Sequence, residues 1–455
     1  MTTDRPLKEC ISSNKNELVI FGADSFAQFP ARDASIQSNC DRALPASSRH
    51  DLVVLRGRQD HAYCKWLRAR GLGPGHVVEY KESSREVSLS ECIIQNPAPI
   101  LKIIEETGRR PVYVPWYSGR KEAEAAEILG ADLFGATEDA TIKYNDKAEF
   151  KDICQQIGIP VVAGTSFRMQ PEDTANTRDF ARVIKNLLLT HDTVIIRGTL
   201  GESGMSLYKT TGNDLPELYE KIAATGEKMV IVEPFLRVIS SPGDQWVIDR
   251  AGNIDHIGVT DQLCEKGMVH VGTQHGPQIS RRLHDLISQT SLKIVQHMSH
   301  YGYRGVLGID YIVTDENVYP VENNARFNAS SYPWLIADKI RKVIPSIDYW
   351  KFIKIKTQPC TFPELADGIH DILYNGEKVN SVLPYNCRLL RVSGAFSVLL
   401  LAEDLNHLTY LEEVLNERGV RREESSRRHK ADKPLLIAGQ RAQLHSMRTN
   451  TIVPQ

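Results

Sequence analysis

Several features are missing from this sequence, and each absence removes a class of protein. Eight cysteines stand at 10, 40, 64, 92, 154, 264, 360 and 387 without a CxxC pair. Scattered through apolar segments, they read as free buried thiols rather than a zinc site or a disulfide framework. No apolar run approaches the ~20 residues of a bilayer-spanning helix; the strongest is FSVLLLA at 396–402. The polar start, MTTDRPLKECISSNKNE, has no signal-like apolar core, so a soluble protein of a reducing, cytoplasmic compartment is expected, without a membrane. Net charge is −2 over 455 residues, which offers no excess for a polyanion, and no nucleic-acid partner is expected. After the first strand, ELVIFGAD at 17–24, the chain continues GADSFAQF where a dinucleotide fingerprint would need G-x-G-x-x-G.

What is present is ordinary in bulk, with 41% hydrophobic and 25% charged residues, and the length suits two to four domains at ~100–200 residues each. Residues 1–16 read as disordered. Over 17–140, short apolar strands (ELVIFG, DLVVLRG, HVVEY, PVYVPW) alternate with helical patterns such as GRKEAEAAEILG. This alternation predicts an α/β domain with a largely parallel, Rossmann-like sheet. A second unit, 141–350, opens with TIKYNDKAEFKDICQQIGIPV. There Asp146 and Glu149 form a D-x-x-E capping box, Phe150, Ile153, Cys154 and Ile157 share a helical face, and Gly158 and Pro160 end the helix. The stretch CEKGMVHVGTQHGP reads as a glycine-rich loop over a site. From 381 a hairpin and an amphipathic helix form part of a small C-terminal module, 351–420. The basic 421–455 segment reads as a floppy tail, with a docking segment as the alternative.

Three stretches carry candidate chemistry. GVLGIDYIVT and VYPVENNAR read as antiparallel strands about a DEN turn, so Asp310 and Glu322 face each other, with Asn324 and Arg326 following on the same face. Two carboxylates and an amide oxygen suit Mg²⁺ beside a phosphate clamp; an ordinary solvated hairpin is the alternative. TVIIRGTLGESGMSLYKT brings Arg197 to a strand end and follows it with Gly198, Gly201 and Gly204. Such a loop lets backbone N–H groups approach a polyphosphate, or simply turns; it lacks GK[ST] and leads into a strand, so it is no Walker loop. In KMVIVEPFLR, Glu233 would accept from an adenine amine while Phe235 and Leu236 flank the ring; a plain proline bend is the alternative.

The order of these elements resembles the ATP-grasp superfamily over roughly 141–335. The resemblance implies an ATP-grasp fold, α+β in character, with a flap subdomain at about 150–235, behind a pre-ATP-grasp domain at 17–140. It implies ATP contacts at Lys147, Arg197, the flap glycines, Glu233, Phe235 and Leu236. It implies Mg²⁺ (or Mn²⁺) at Asp310, Glu322 and Asn324, and catalytic cations at Arg326 and Arg197. Arginine at 197 departs from the family's usual lysine, keeping the charge but not the geometry. With the small module behind it, the whole chain is similar to pheganomycin-type peptide ligases. An ADP-producing carboxylate–amine ligase working through an acyl phosphate is the implied activity. Its substrates would be small carboxylates and amines such as amino acids or peptides, and a homodimer is compatible. A non-catalytic nucleotide-binding regulator, or a member with a non-amine acceptor, is the alternative. Gln262, His270 and His275 are candidate substrate contacts.

Overall fold

The computed structural model of the chain describes residues 5–24, 38–81, 87–199, 206–265, 269–276 and 279–422. The early alternation of strands and helices becomes a five-stranded parallel sheet of order β3-β2-β1-β4-β5. Its strands are β1 (Glu17–Gly22), β2 (Leu52–Arg56), β3 (His76–Tyr80), β4 (Arg110–Pro115) and β5 (Asp132–Leu133). Strands β1 and β2 are buried along their whole length, as apolar runs covered on both faces must be. One face (Leu18, Ile20, Leu52, Val54, Tyr113) packs against residues of helices Leu89–Gln95, Ala98–Thr107 and Arg120–Ile128. The other face (Val19, Phe21, Val53, Val112) joins a core that includes Tyr332, Leu335 and Ile336 of helix Ser331–Arg341.

A four-stranded antiparallel sheet, β6 (Thr165–Arg168), β7 (Val194–Gly198), β8 (Leu207–Thr210) and β9 (Met229–Pro234), runs in the order β6-β9-β7-β8. Phe180 and Ile184 of helix Thr174–Leu187, with Tyr219 and Ile222 of helix Leu215–Ala223, seal one face of it. The largest sheet has the order β14-β13-β10-β11-β12-β15-β17-β16. It comprises β10 (Pro242–Ile248), β11 (Ile254–Glu265), β12 (Val269–His275), β13 (Gly305–Val313), β14 (Val318–Asn324), β15 (Tyr349–Lys356), β16 (Ser381–Tyr385) and β17 (Ala395–Ala402). A short β18 (Arg421–Arg422) pairs with β15.

Three expectations differ from this picture. Residues 5–16 are not without structure: helix Leu7–Ile11 buries Leu7, Cys10 and Ile11, and Arg5 pairs with Asp249 and Asp255. The polarity of that segment hid a one-sided apolar face. The stretch CEKGMVHVGTQHGP is mostly strand, because β11 and β12 pair from Thr260↔His275 to Glu265↔Val269; residues 266–268 and 277–278 lie outside the described residues. The C-terminal segment is no separate module, since β15 pairs with β12 and carries β17 and β16 as further strands of the same sheet. All eight cysteines are free, six of them buried. Among the described residues no helix is long and apolar enough to cross a membrane.

Candidate functional site

The β13–β14 hairpin sets the site's register. Asp310 stands directly opposite Glu322, and Gly308 opposite Asn324. A bulge follows immediately: Tyr311 pairs with Pro320, leaving Val321 as the extra residue. A bulged residue drops out of the ladder, and the Val321 carbonyl instead accepts a hydrogen bond from Arg197 Nη1 at 3.0 Å. The bulge thereby ties β7 of the four-stranded sheet to the carboxylate row of the large one.

Cations and acids interleave along this row. Lys147 is the first residue of helix Lys147–Gln156, N-capped by Asp146, whose side chain accepts from the backbone of Ala148 and Glu149. Its Nζ lies 3.0 Å from Glu322 Oε1. Asn324 Nδ2 donates to Asp310 Oδ2 at 2.9 Å. Burial, reinforced by the neighbouring Glu322 charge, pushes the Asp310 carboxyl well above the usual carboxylate range, while hydrogen bonds from Gln262 and Asn324 pull the other way. Arg326 is buried and its Nη1 donates to Asn145 Oδ1 at 2.8 Å. Two carboxylates and a carboxamide oxygen form a hard-oxygen donor set of the kind Mg²⁺ takes, with cations placed to receive phosphate beside it.

Glu233 of β9 does not present a free carboxylate. Arg197 donates to its Oε2 from Nη2 (2.7 Å) and Nε (3.1 Å). Lys151 donates to its Oε1 at 2.6 Å and to the Val162 carbonyl at 2.6 Å. Both of its oxygens are therefore engaged by cations. Phe235 is partly exposed, with Lys209 Nζ over its ring, 3.4 Å from the centroid, and Leu236 is half-buried. Gly198 ends β7 in a tight place, where a Cβ would lie 2.1 Å from Glu227 Oε1. Gly201 and Gly204 lie outside the described residues.

The three candidate substrate contacts separate. Gln262 hydrogen-bonds the Asp310 carboxylate and so borders the site. His275 is three strands from Asp310 along one row, through Gly243 and Thr260. It lies against Trp334 and Trp350, with ring centroids 4.5 and 5.8 Å away. His270 bonds the Thr273 hydroxyl at 2.9 Å and packs near Phe352. Burial pushes both imidazoles down to about 3, so both are neutral in the fold near pH 7.

Two groups escaped sequence reasoning. Lys151 is one helical turn from Lys147, a spacing that signals a shared face. Asn328, two residues beyond Arg326, donates from Nδ2 to Gln245 Oε1 at 2.8 Å. That amide pair fills the space a side chain at Gly308 would need, since a Cβ there would lie 2.5 Å from Asn328 Nδ2 and 2.7 Å from Gln245 Oε1.

Residues 146–340 match the family described as carbamoyl-phosphate synthase L chain, ATP binding domain. The carbamoyl phosphate synthase large chain of Thermus thermophilus is 24% identical over 249 residues, 51% of this chain and 21% of that protein. That of Myxococcus xanthus is 21% identical over 237 residues, 51% of this chain and 20% of the other. The chain thus spans about a fifth of the length of these curated relatives. Among solved structures, a biotin carboxylase–β-γ-ATP complex from Campylobacter jejuni aligns at a TM-score of 0.59 and 14% identity, covering 89% of this chain and 92% of that one. The biotin carboxylase domain of Hydrogenobacter thermophilus 2-oxoglutarate carboxylase, with MgADP, ADP and bicarbonate, aligns at 0.58 and 14% identity, covering 88% and 89%. An ADP complex of N5-carboxyaminoimidazole ribonucleotide synthetase aligns at 0.53 and 12% identity, covering 88% and 95%. Residues 146–340 are thus similar to that ATP-binding domain, and the chain shares the fold of these solved structures.

Proposed function

We propose that the chain is an ATP-dependent ligase that joins a small carboxylate to an amine, releasing ADP and phosphate, with an amino acid and an amino acid or peptide as its substrates. The observation that carries this reading is the pairing of Asp310 with Glu322 in register, with Lys147 and Arg197 brought to β14 from two other elements. Asp310, Glu322 and the Asn324 amide oxygen would hold Mg²⁺, or Mn²⁺ in its place. Bound there, the cation supplies charge neutralisation to phosphate oxygens. Lys147 and Arg197 exchange their carboxylate partners for phosphate, while Phe235, Leu236 and the backbone beyond Glu233 receive the adenine. Arg326, held by Asn145, offers its guanidinium to the activated carboxylate and then to the oxyanion formed when the amine attacks. Most of the catalytic work asked of these side chains is positioning and charge stabilisation, as phosphoryl transfer requires.

The test is ADP release over pairs of amino acids, with hydroxylamine added to trap the activated acid. Turnover that needs both an acid and an amine, with hydroxamate formed from the acid alone, supports the reading. Nucleotide binding with no turnover on any pair and no trapped acid would leave a nucleotide-binding regulator. A second reading, in which bicarbonate takes the phosphoryl group, is favoured by the bicarbonate bound in the Hydrogenobacter relative of this fold. Including bicarbonate in the acid panel separates the two.

A further inference from the structure

We infer that Lys151 is the charge that leaves Arg197 available to phosphate, a positioning residue acting through Glu233; this rests on the nucleotide reading above. Lys151 is 6% exposed, and burying an ammonium is costly unless it is closely paired. Its Nζ is turned to Glu233 Oε1 at 2.6 Å, while both donors of the Arg197 fork take Oε2. An acid satisfied by Arg197 alone would form a neutral pair, and the strand before the flap would offer an incoming polyanion no net charge. With Lys151 on the other oxygen, two cations share one acid and the trio keeps one net positive charge. When Arg197 turns toward phosphate, Glu233 still has a partner, so no bare carboxylate is left to repel the nucleotide. The third anchor of Arg197, the Val321 carbonyl, adjoins Glu322, so the surplus charge sits beside the proposed metal ligands.

The test compares ADP and adenosine binding by calorimetry in MgCl₂ for the full chain and its variants. In Lys151→Met the trio becomes a neutral pair, and ADP is expected to bind about tenfold or more weakly, the order of one unit charge acting over several ångströms in a partly buried site. Adenosine, which lacks phosphate, should change by less than about twofold on the same argument. Lys151→Arg keeps the charge and should bind ADP like the parent. The double variant Lys151→Met/Glu233→Gln restores one net positive charge and should recover ADP binding. Equal loss of ADP and adenosine in Lys151→Met, or a double variant as weak as the single one, would overturn the inference. Should Lys151→Met not fold, Glu233→Gln decides: with two uncancelled cations it should bind ADP more tightly relative to adenosine, and an unchanged or lower ratio would overturn the inference. A parent protein that binds neither ligand would refute the nucleotide reading itself, a distinct outcome.

Discussion

Replacing Asp310 with asparagine should make the protein more stable and abolish its response to Mg²⁺. Asp310 and Glu322 are register partners, and partners across an antiparallel pair have Cα atoms ~5 Å apart. Two unit charges at ~5 Å and an effective dielectric of ~20 repel by about 3 kcal/mol. Lys147, 3.0 Å from Glu322, offsets part of that, leaving roughly 1–2 kcal/mol to be gained by removing one charge. Asparagine preserves an acceptor for Asn324 Nδ2, so the local hydrogen bond survives. For a domain of this size, ~1–2 kcal/mol corresponds to a rise of about 2 °C in Tm. Thermal denaturation of parent and variant, each with and without MgADP, measures both effects. The parent should gain stability from MgADP well beyond the gain from ADP alone, and Asp310→Asn should lose that difference. A variant less stable than the parent without metal, or one still stabilised specifically by Mg²⁺, would show that Asp310 and Glu322 neither repel nor share the cation.

Other expectations follow from individual contacts. Arg197→Lys keeps the charge but loses the fork on Glu233 and the bond to Val321; stability should fall by about 1–3 kcal/mol, and ADP should bind more weakly, by denaturant titration and calorimetry. Gly308→Ala drives a methyl into the Gln245–Asn328 amide pair, so about 1–3 kcal/mol should be lost by overpacking, together with ADP release in the ligase assay. Because His270 and His275 are pushed down to about 3 in the fold, the unfolded chain binds more protons between about pH 6.5 and that value. Stability should therefore fall as pH drops through this window, by about 2 kcal/mol per histidine between pH 7 and 5. His275→Gln should flatten part of that slope in urea titrations at the two pH values.

Much of the site was legible because it depends on local periodicities. The facing of Asp310 and Glu322 follows from a hairpin read at period two, and the Lys147 helix announces its start with Asp146 and its end with Gly158. What escaped depends on contacts between distant segments. The Val321 bulge is set by how β14 meets β13, and Pro320 beside it, with no N–H to give a ladder, was its one local signal. Glu233 reads as a hinge acid in isolation; only the arrival of Lys151 and Arg197 from two other elements engages both its oxygens. His275 looks chemically active in its string of polar residues, yet helix Ser331–Arg341 lays Trp334 across it. The N-terminal helix was missed because its apolar positions, Leu7, Cys10 and Ile11, are few and find their cover in distant parts of the chain.

Asp310, Glu322 and Asn324 are proposed to share one divalent cation with a nucleotide's phosphates. Crystals grown with ADP and Mn²⁺ test it most directly, through the anomalous signal of the metal. A peak is expected about 2.2 Å from oxygens of those three side chains and of ADP, with Lys147 moved from Glu322 onto phosphate. ADP bound at the β9 bend with no anomalous peak at these residues, or a peak liganded by others, would contradict it.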